Sequence, residues 1–109
     1  MESAANFING KLLEVDVFGQ KYDVVLNTDF YERRNQLAIF GCLPNGDPFG
    51  TLTVCIPHIH LQTNEILVKT WSENEPFAKA ALASGLFVDT GKRVHSGFVV
   101  APIWTVNVL

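Results

Sequence analysis

Apolar and polar residues alternate along several short segments, and this pattern predicts a sheet built from hairpins. In "KLLEVDVFG" at 11–19, Leu13, Val15 and Val17 fall on one face and two carboxylates fall on the other. Alternation with a period of two is typical of a half-buried strand. A tight turn at 19–20 then predicts that "KYDVVLN" at 21–27 is the hairpin partner of this strand.

Four more segments have the composition of strands. Asn-Gly in "PNGDP" tolerates positive φ at both central positions, so this segment predicts a turn between two of them. Pro102 indicates a bulge or an edge in the last strand, because proline donates no ladder hydrogen bond. The segment "TDFYERRN" at 28–35 favours a loop, with one helical turn capped by Thr28 or Asp29 as the alternative. The segment "LFVDTGKRVHSG" at 86–97 favours a loop or a short hairpin with its turn at Thr90-Gly91. The predicted strands are "QLAIFGCL" at 36–43, "FGTLTVCI" at 49–56, "EILVKTW" at 65–71 and "FVVAPIWTVNVL" at 98–109.

One helix is predicted at about 74–84. Ser72 or Asn74 can cap its start, Pro76 suits its first turn, and Gly85 fits the position just after its end. Hairpin strands with one helix indicate an α+β fold, in which an antiparallel sheet of five to six strands carries the helix on one face. The length of 109 residues fits a single domain over 1–109.

Composition narrows the class of protein. The chain is 48% hydrophobic and 17% charged, as in a compact globular domain. Its net charge of −3 and scattered basic residues argue against direct nucleic-acid binding and suit a protein partner or a basic cleft. We expect a cytoplasmic protein with reduced thiols, because the sequence shows no signal peptide, membrane span or disulfide framework.

Three potential metal ligands, Cys55, His58 and His60, lie within six positions. They could form a small zinc or thiol site, but Pro57 interrupts the strand between them and no supporting ligand pattern accompanies them. Cys42 and Cys55 lie in apolar strands, where buried thiols are usually inert, although the Asn-Gly turn could make them cross-strand neighbours. The sequence therefore predicts no metal, no cofactor and no catalytic residue.

An acidic and aromatic segment, "TWSENEP", is the favoured contact surface for a protein partner. The polar loop that starts at Asp29 is a second candidate. The predicted partner-binding residues are Trp71, Glu73, Asn74 and Glu75 in the first segment, and Asp29, Glu32, Arg33 and Arg34 in the second.

The residues between Leu37 and Val108 resemble a family of small proteins known only as a domain of unknown function. The resemblance rests on "LAIFGCLPNGDPFGTLTVCIP", "NEILVKTWSENEP" and "LASGLFVDTGKRVHSGFVVAPIWTV". Members of that family are carried on plasmids, conjugative elements and phages of Gram-positive bacteria. The family often has Asn at the position of Cys55 and supplies no catalytic residues. The resemblance implies an accessory protein of a mobile element.

These observations predict a non-enzymatic protein that binds a host protein, such as an inhibitor of a CRISPR nuclease or of another defence system. Two alternatives stay open. One is a small metal-dependent or thiol enzyme that uses Cys55, His58 and His60. The other is a structural protein that oligomerises through an exposed strand edge.

Overall fold

The computed structural model describes residues 3–31 and 36–108. Within these ranges the chain forms an α+β fold with seven strands, two α-helices and one 3₁₀ turn. The α+β prediction is confirmed, with slightly more strands than the five to six expected. In chain order the elements are α1 (Ala4–Ile8), β1 (Leu12–Val17), β2 (Gln20–Phe30), β3 (Leu37–Cys42), β4 (Pro48–Thr51), β5 (Glu65–Leu67), the 3₁₀ turn (Ser72–Asn74), α2 (Glu75–Ala83), β6 (Phe87–Ser96) and β7 (Val99–Val106).

The first four strands form an antiparallel meander in the order β1-β2-β3-β4. The β1–β2 turn lies at Phe18 and Gly19, because Val17 pairs with Gln20. The turn predicted at 19–20 is therefore displaced by one residue, which changes every cross-strand pair of the hairpin. The β3–β4 turn holds the predicted Asn-Gly pair, and Gly46 there has a φ of +95°.

The remaining strands form a second antiparallel sheet in the order β5-β7-β6. The chain beyond β4 links the two sheets. Thr53 forms a bridge with Val68, and the backbone N–H of Leu52 donates to the carbonyl of Ile39 in β3 at 2.8 Å. Residues 52–54 therefore contact β3 on one side and the β5 segment on the other, so the two sheets adjoin.

Helix α2 packs against the inner face of the two sheets. It contacts both β1 and β6, the outer strands of their respective sheets, so the sheets curve around it. Phe77 and Ala81 of the helix are buried in the main core, and the ring of Phe77 packs over Gly41 of β3. A Cβ atom at Gly41 would lie 2.4 Å from Cγ1 of Val24 and 3.1 Å from Cζ of Phe77.

A second, smaller core lies on the outer face of the β5-β7-β6 sheet. Residues 54–61 supply much of it, since Ile56 and Leu61 are buried there against Leu67 and Ile103. The side chain of Gln36 fixes this segment: its amide nitrogen donates to the carbonyls of Ile56 and Ile59, and its oxygen accepts from the N–H of Ile56. The segment 54–64 thus covers this sheet face from within the same chain.

Helix α2 confirms the helix prediction, but several local predictions besides the β1–β2 turn were wrong. Strand β5 ends at Leu67, short of the predicted residue 71. Residues 87–96 form strand β6, in which a bulge lies between Asp89 and Arg93, and Arg93 pairs with Pro102 of the central strand β7. Strand β4 ends at Thr51, short of the predicted residue 56, because the chain there passes from one core to the other. Strand β2 runs on to Phe30, into the segment predicted as a loop.

Candidate interaction surface

In the helix-start segment, residues 71–75, some side chains pack against the protein and others are exposed to solvent. Trp71 is half-buried against the second core. Asn74 is only 7% exposed, and its amide nitrogen donates to the carbonyl of Lys69 at 2.6 Å. The hydrogen bond closes the connection from β5 into the helix. Of the four residues predicted in this segment, only Glu73 and Glu75 have exposed side chains.

Glu73 borders an open cleft of about 490 Å³ between the β1–β2 hairpin, β4 and the start of α2. The carboxylate of Glu73 lies 3.6 Å from Nζ of Lys69. Its own backbone N–H and the nearby Lys69 hold the pKa of Glu73 below the usual value. The floor of the cleft is aromatic, with the ring of Phe49 at 5.7 Å from that of Tyr22 and 5.3 Å from that of Phe77.

The second predicted site is described only in part. Asp29 is exposed on β2, and its carboxylate accepts a hydrogen bond from the backbone N–H of Phe30 at 2.8 Å. Glu32, Arg33 and Arg34 lie outside the described residues.

A third candidate surface is the outer face of the β1-β2-β3 sheet, which we call the acidic face. The cross-strand pairs show which residues share it. Residues that lie directly opposite each other in an antiparallel pair share one face. Leu12 lies opposite Val25, and Val25 lies opposite Cys42, so these three side chains form an apolar row. Leu12 is 64% exposed, while the other two are half-buried.

Charges on the same face are mostly negative. Glu14 lies directly opposite Asp23, and Asp16 lies opposite Lys21. With Asp29, which shares this face of β2, the charged positions among the described residues of the three strands number four carboxylates and one ammonium group. Lys21 lies 3.9 Å from the carboxylate of Glu14, and both side chains are largely exposed. The face therefore carries a local charge of −3, the sum of −4 and +1.

The two outer sheet faces differ in how they are covered. Segment 54–64 covers much of the outer face of the β5-β7-β6 sheet, whereas Leu12, Glu14 and Asp23 on the acidic face remain exposed. The sequence prediction missed this surface. The signal for it was present in the alternation of β1, which places Glu14 and Asp16 together, but the displaced turn gave the wrong opposing residues.

Cys55, His58 and His60 do not form a ligand cluster. His58 and His60 have exposed side chains on the segment that covers the second core, and Cys55 is half-buried. Within 3–31 and 36–108, no group of three or more His, Cys, Asp or Glu side chains is placed to hold a metal ion. Cys42 lies opposite Pro48, so it is not a cross-strand neighbour of Cys55, and both are free thiols.

A separate charge cluster stabilises the β6 bulge. Glu65, only 7% exposed, forms an ion pair with Lys92, and its other oxygen accepts from the N–H of Gln62. Burial acts to raise the pKa of Glu65, but these hydrogen bonds outweigh burial and the pKa is lowered. Arg93 binds both carboxylate oxygens of Asp89 at 2.9 Å. Each charge has a structural partner, so this cluster is explained by the fold.

Comparison of the chain with protein-family models, with curated proteins and with solved structures gives no match. None of the helices in the described part of the chain has the length and apolar character to span a membrane.

Proposed function

We propose that the chain is a non-enzymatic protein-binding domain that contacts a basic surface of its partner through the acidic face. The observation that carries this proposal is the direct opposition of Glu14 and Asp23 beside the exposed apolar row. Like charges directly opposite each other on a sheet destabilise the pair by roughly 0.2–1 kcal/mol. Within the described chain Lys21, whose Nζ lies 3.9 Å from the carboxylate of Glu14, offsets part of this repulsion, and a basic partner would offset more of it.

The apolar row adds a second reason. Leu12 is 64% exposed, and no residue of the described chain covers it as segment 54–64 covers the second core. Apolar side chains rimmed by charged ones are typical of protein interfaces, where the apolar centre contributes affinity and the charges direct the encounter. Contact with a basic protein surface would therefore bury the apolar row and pair the carboxylates, neither of which happens in water.

The resemblance to mobile-element proteins extends the proposal to a biological role. We infer that the partner is a host protein in the cytoplasm, and that a defence nuclease, including a CRISPR nuclease, fits the charge of the face. Nucleases bind phosphate backbones with clusters of Lys and Arg. An acidic face could occupy such a cluster in place of nucleic acid, which would make the chain an anti-defence inhibitor carried by a phage or conjugative element.

The test uses two double variants that remove the same charge from different surfaces. The wild-type chain is used to capture a protein from the lysate of its host, the captured protein is purified, and its affinity is measured by calorimetry. Glu14→Gln with Asp23→Asn should weaken binding by about 10-fold, as expected for charges at an interface. Glu73→Gln with Glu75→Gln should bind like wild type.

The outcomes separate the candidate surfaces. If the helix-start variant alone loses affinity, the contact surface is the one first predicted at Glu73 and Glu75. If both variants bind like wild type, or if the wild-type chain captures no protein, the proposed function is wrong.

A further inference from the structure

The turn between β1 and β2 contains a bulky residue in a conformation that glycine usually occupies. Phe18 has a φ of +51° and Gly19 a φ of +89°. Positive φ at both central residues of a two-residue hairpin loop favours Asn-Gly or Gly-Gly. The turn is nevertheless firmly held, because the carboxylate of Asp16 accepts a hydrogen bond from the N–H of Gly19 at 2.7 Å.

The apolar ring of Phe18 is also exposed to water, which is unfavourable. Its side chain is 98% exposed, so its ring contributes nothing to either core. A bulky residue with positive φ is a genuine outlier, and such strain is found preferentially at sites of function. Asparagine at position 18 would remove both the strain and the exposed ring, so stability does not account for phenylalanine here.

The other hairpin turns of the described chain avoid this combination. In the β6–β7 turn, Gly97 takes the positive φ of +59°, and the exposed Phe98 that follows it does not have a positive φ. In the β3–β4 turn, Gly46 takes a φ of +95°. Two other non-glycine residues of the described chain, Asn64 and Ser72, also have positive φ, but both have small polar side chains, so Phe18 is the bulky residue in this conformation.

Building on the proposed function, we propose that Phe18 is an anchor residue that inserts into an apolar pocket of the same partner protein, at a point where basic residues border the pocket. Asp16, Glu14 and Asp23 lie on the same hairpin, so the anchor is continuous with the acidic face. Exposed aromatic side chains commonly contribute most of the binding free energy at interfaces. Because the turn is fixed before binding, little conformational entropy is lost when the ring docks.

The charge of the hairpin decides between two occupants of this site. A second copy of the chain that docked through the same hairpin would bring another set of carboxylates toward the first, and like charges repel at this range. A basic partner would be attracted by the same carboxylates. The structure therefore favours a partner protein over self-association.

Two matched substitutions test the anchor, with the captured and purified host protein as the probe. Phe18→Asn keeps a residue that tolerates positive φ, so the variant should fold with a melting temperature at or above that of wild type. Its affinity for the captured protein should fall by about 30-fold, as for an interface hot spot. Phe98→Asn makes the same change at the other exposed turn and should bind within twofold of wild type.

Photo-crosslinking identifies the occupant directly. With p-benzoylphenylalanine in place of Phe18, an adduct with the captured protein supports the anchor, whereas an adduct of two copies of the chain overturns it. If Phe18→Asn binds like wild type while Glu14→Gln with Asp23→Asn does not, the anchor is wrong and the proposed function stands. If all these variants bind like wild type, both proposals fail.

Discussion

Gln36 provides the most decisive test of how the fold is held together. This buried side chain makes three hydrogen bonds to the segment that covers the second core: 2.7 Å to the carbonyl of Ile56, 2.8 Å to the carbonyl of Ile59, and 3.1 Å from the N–H of Ile56. Gln36→Leu places an apolar side chain of similar size there and removes all three hydrogen bonds. It leaves the N–H of Ile56 and the carbonyl of Ile59 without the hydrogen bonds that Gln36 supplied.

At about 1 kcal/mol for each hydrogen bond, Gln36→Leu should lower the free energy of unfolding by about 3 kcal/mol. With a slope of about 1.5 kcal/mol per M, the midpoint of urea unfolding should fall by about 2 M. Tryptophan fluorescence provides the readout, because Trp71 packs on the second core. Gln62→Leu is the control, since Gln62 is exposed on the same segment and its substitution should change stability by less than about 0.5 kcal/mol. Equal midpoints for the two variants would refute the role assigned to Gln36.

Three further predictions follow from the packing and the charges. Gly41→Ala should cost about 2 kcal/mol by overpacking, while Gly50→Ala, whose Cβ would meet its nearest neighbour at 3.6 Å, should be close to neutral in the same urea assay. Because the pKa of Glu65 is lowered in the folded chain, its carboxylate stabilises the fold above the ordinary value of 4.5 and loses that effect as the pH falls below it. Glu65→Gln should therefore flatten the acid side of the stability profile, and an unchanged profile would contradict the assignment. His58→Ala with His60→Ala should leave folding and metal content by mass spectrometry unchanged, whereas loss of a bound metal would revive the enzyme alternative.

The hairpins and helix α2 were predictable because local signals specify them. The alternation of apolar and polar residues predicted β1 and β2, and the Asn-Gly pair predicted the β3–β4 turn. Pro76 and Gly85 marked the start and the end of the helix. Strand β6 gave no such signal. It is an edge strand with a bulge, and most of its side chains are exposed, so apolar and polar residues do not alternate along it.

Long-range pairing accounts for what the sequence did not predict. The partners of Gln36 lie 20 and 23 residues away, and no local pattern connects them. The cross-strand pairs of the acidic face, though not the set of residues that share it, depended on the position of one turn, because moving the turn by one residue shifts each partner by two positions. A turn at 19–20 would place Glu14 opposite Val25, whereas the observed turn at Phe18 and Gly19 places it opposite Asp23. Because phenylalanine is not expected at positive φ, the sequence predicted the turn one residue too late. Phe18, which caused this error, is also the residue proposed as the anchor.

Carboxylate footprinting of the complex tests the central claim most directly. The chain is labelled with glycine ethyl ester in the absence and presence of the captured host protein, and modification is measured for each acidic residue. Labelling of Glu14 and Asp23 should fall several-fold in the complex if the acidic face binds the partner, while Glu73 and Glu75 should be labelled as in the chain alone. Protection of Glu73 and Glu75 with no change at Glu14 and Asp23 would contradict that claim.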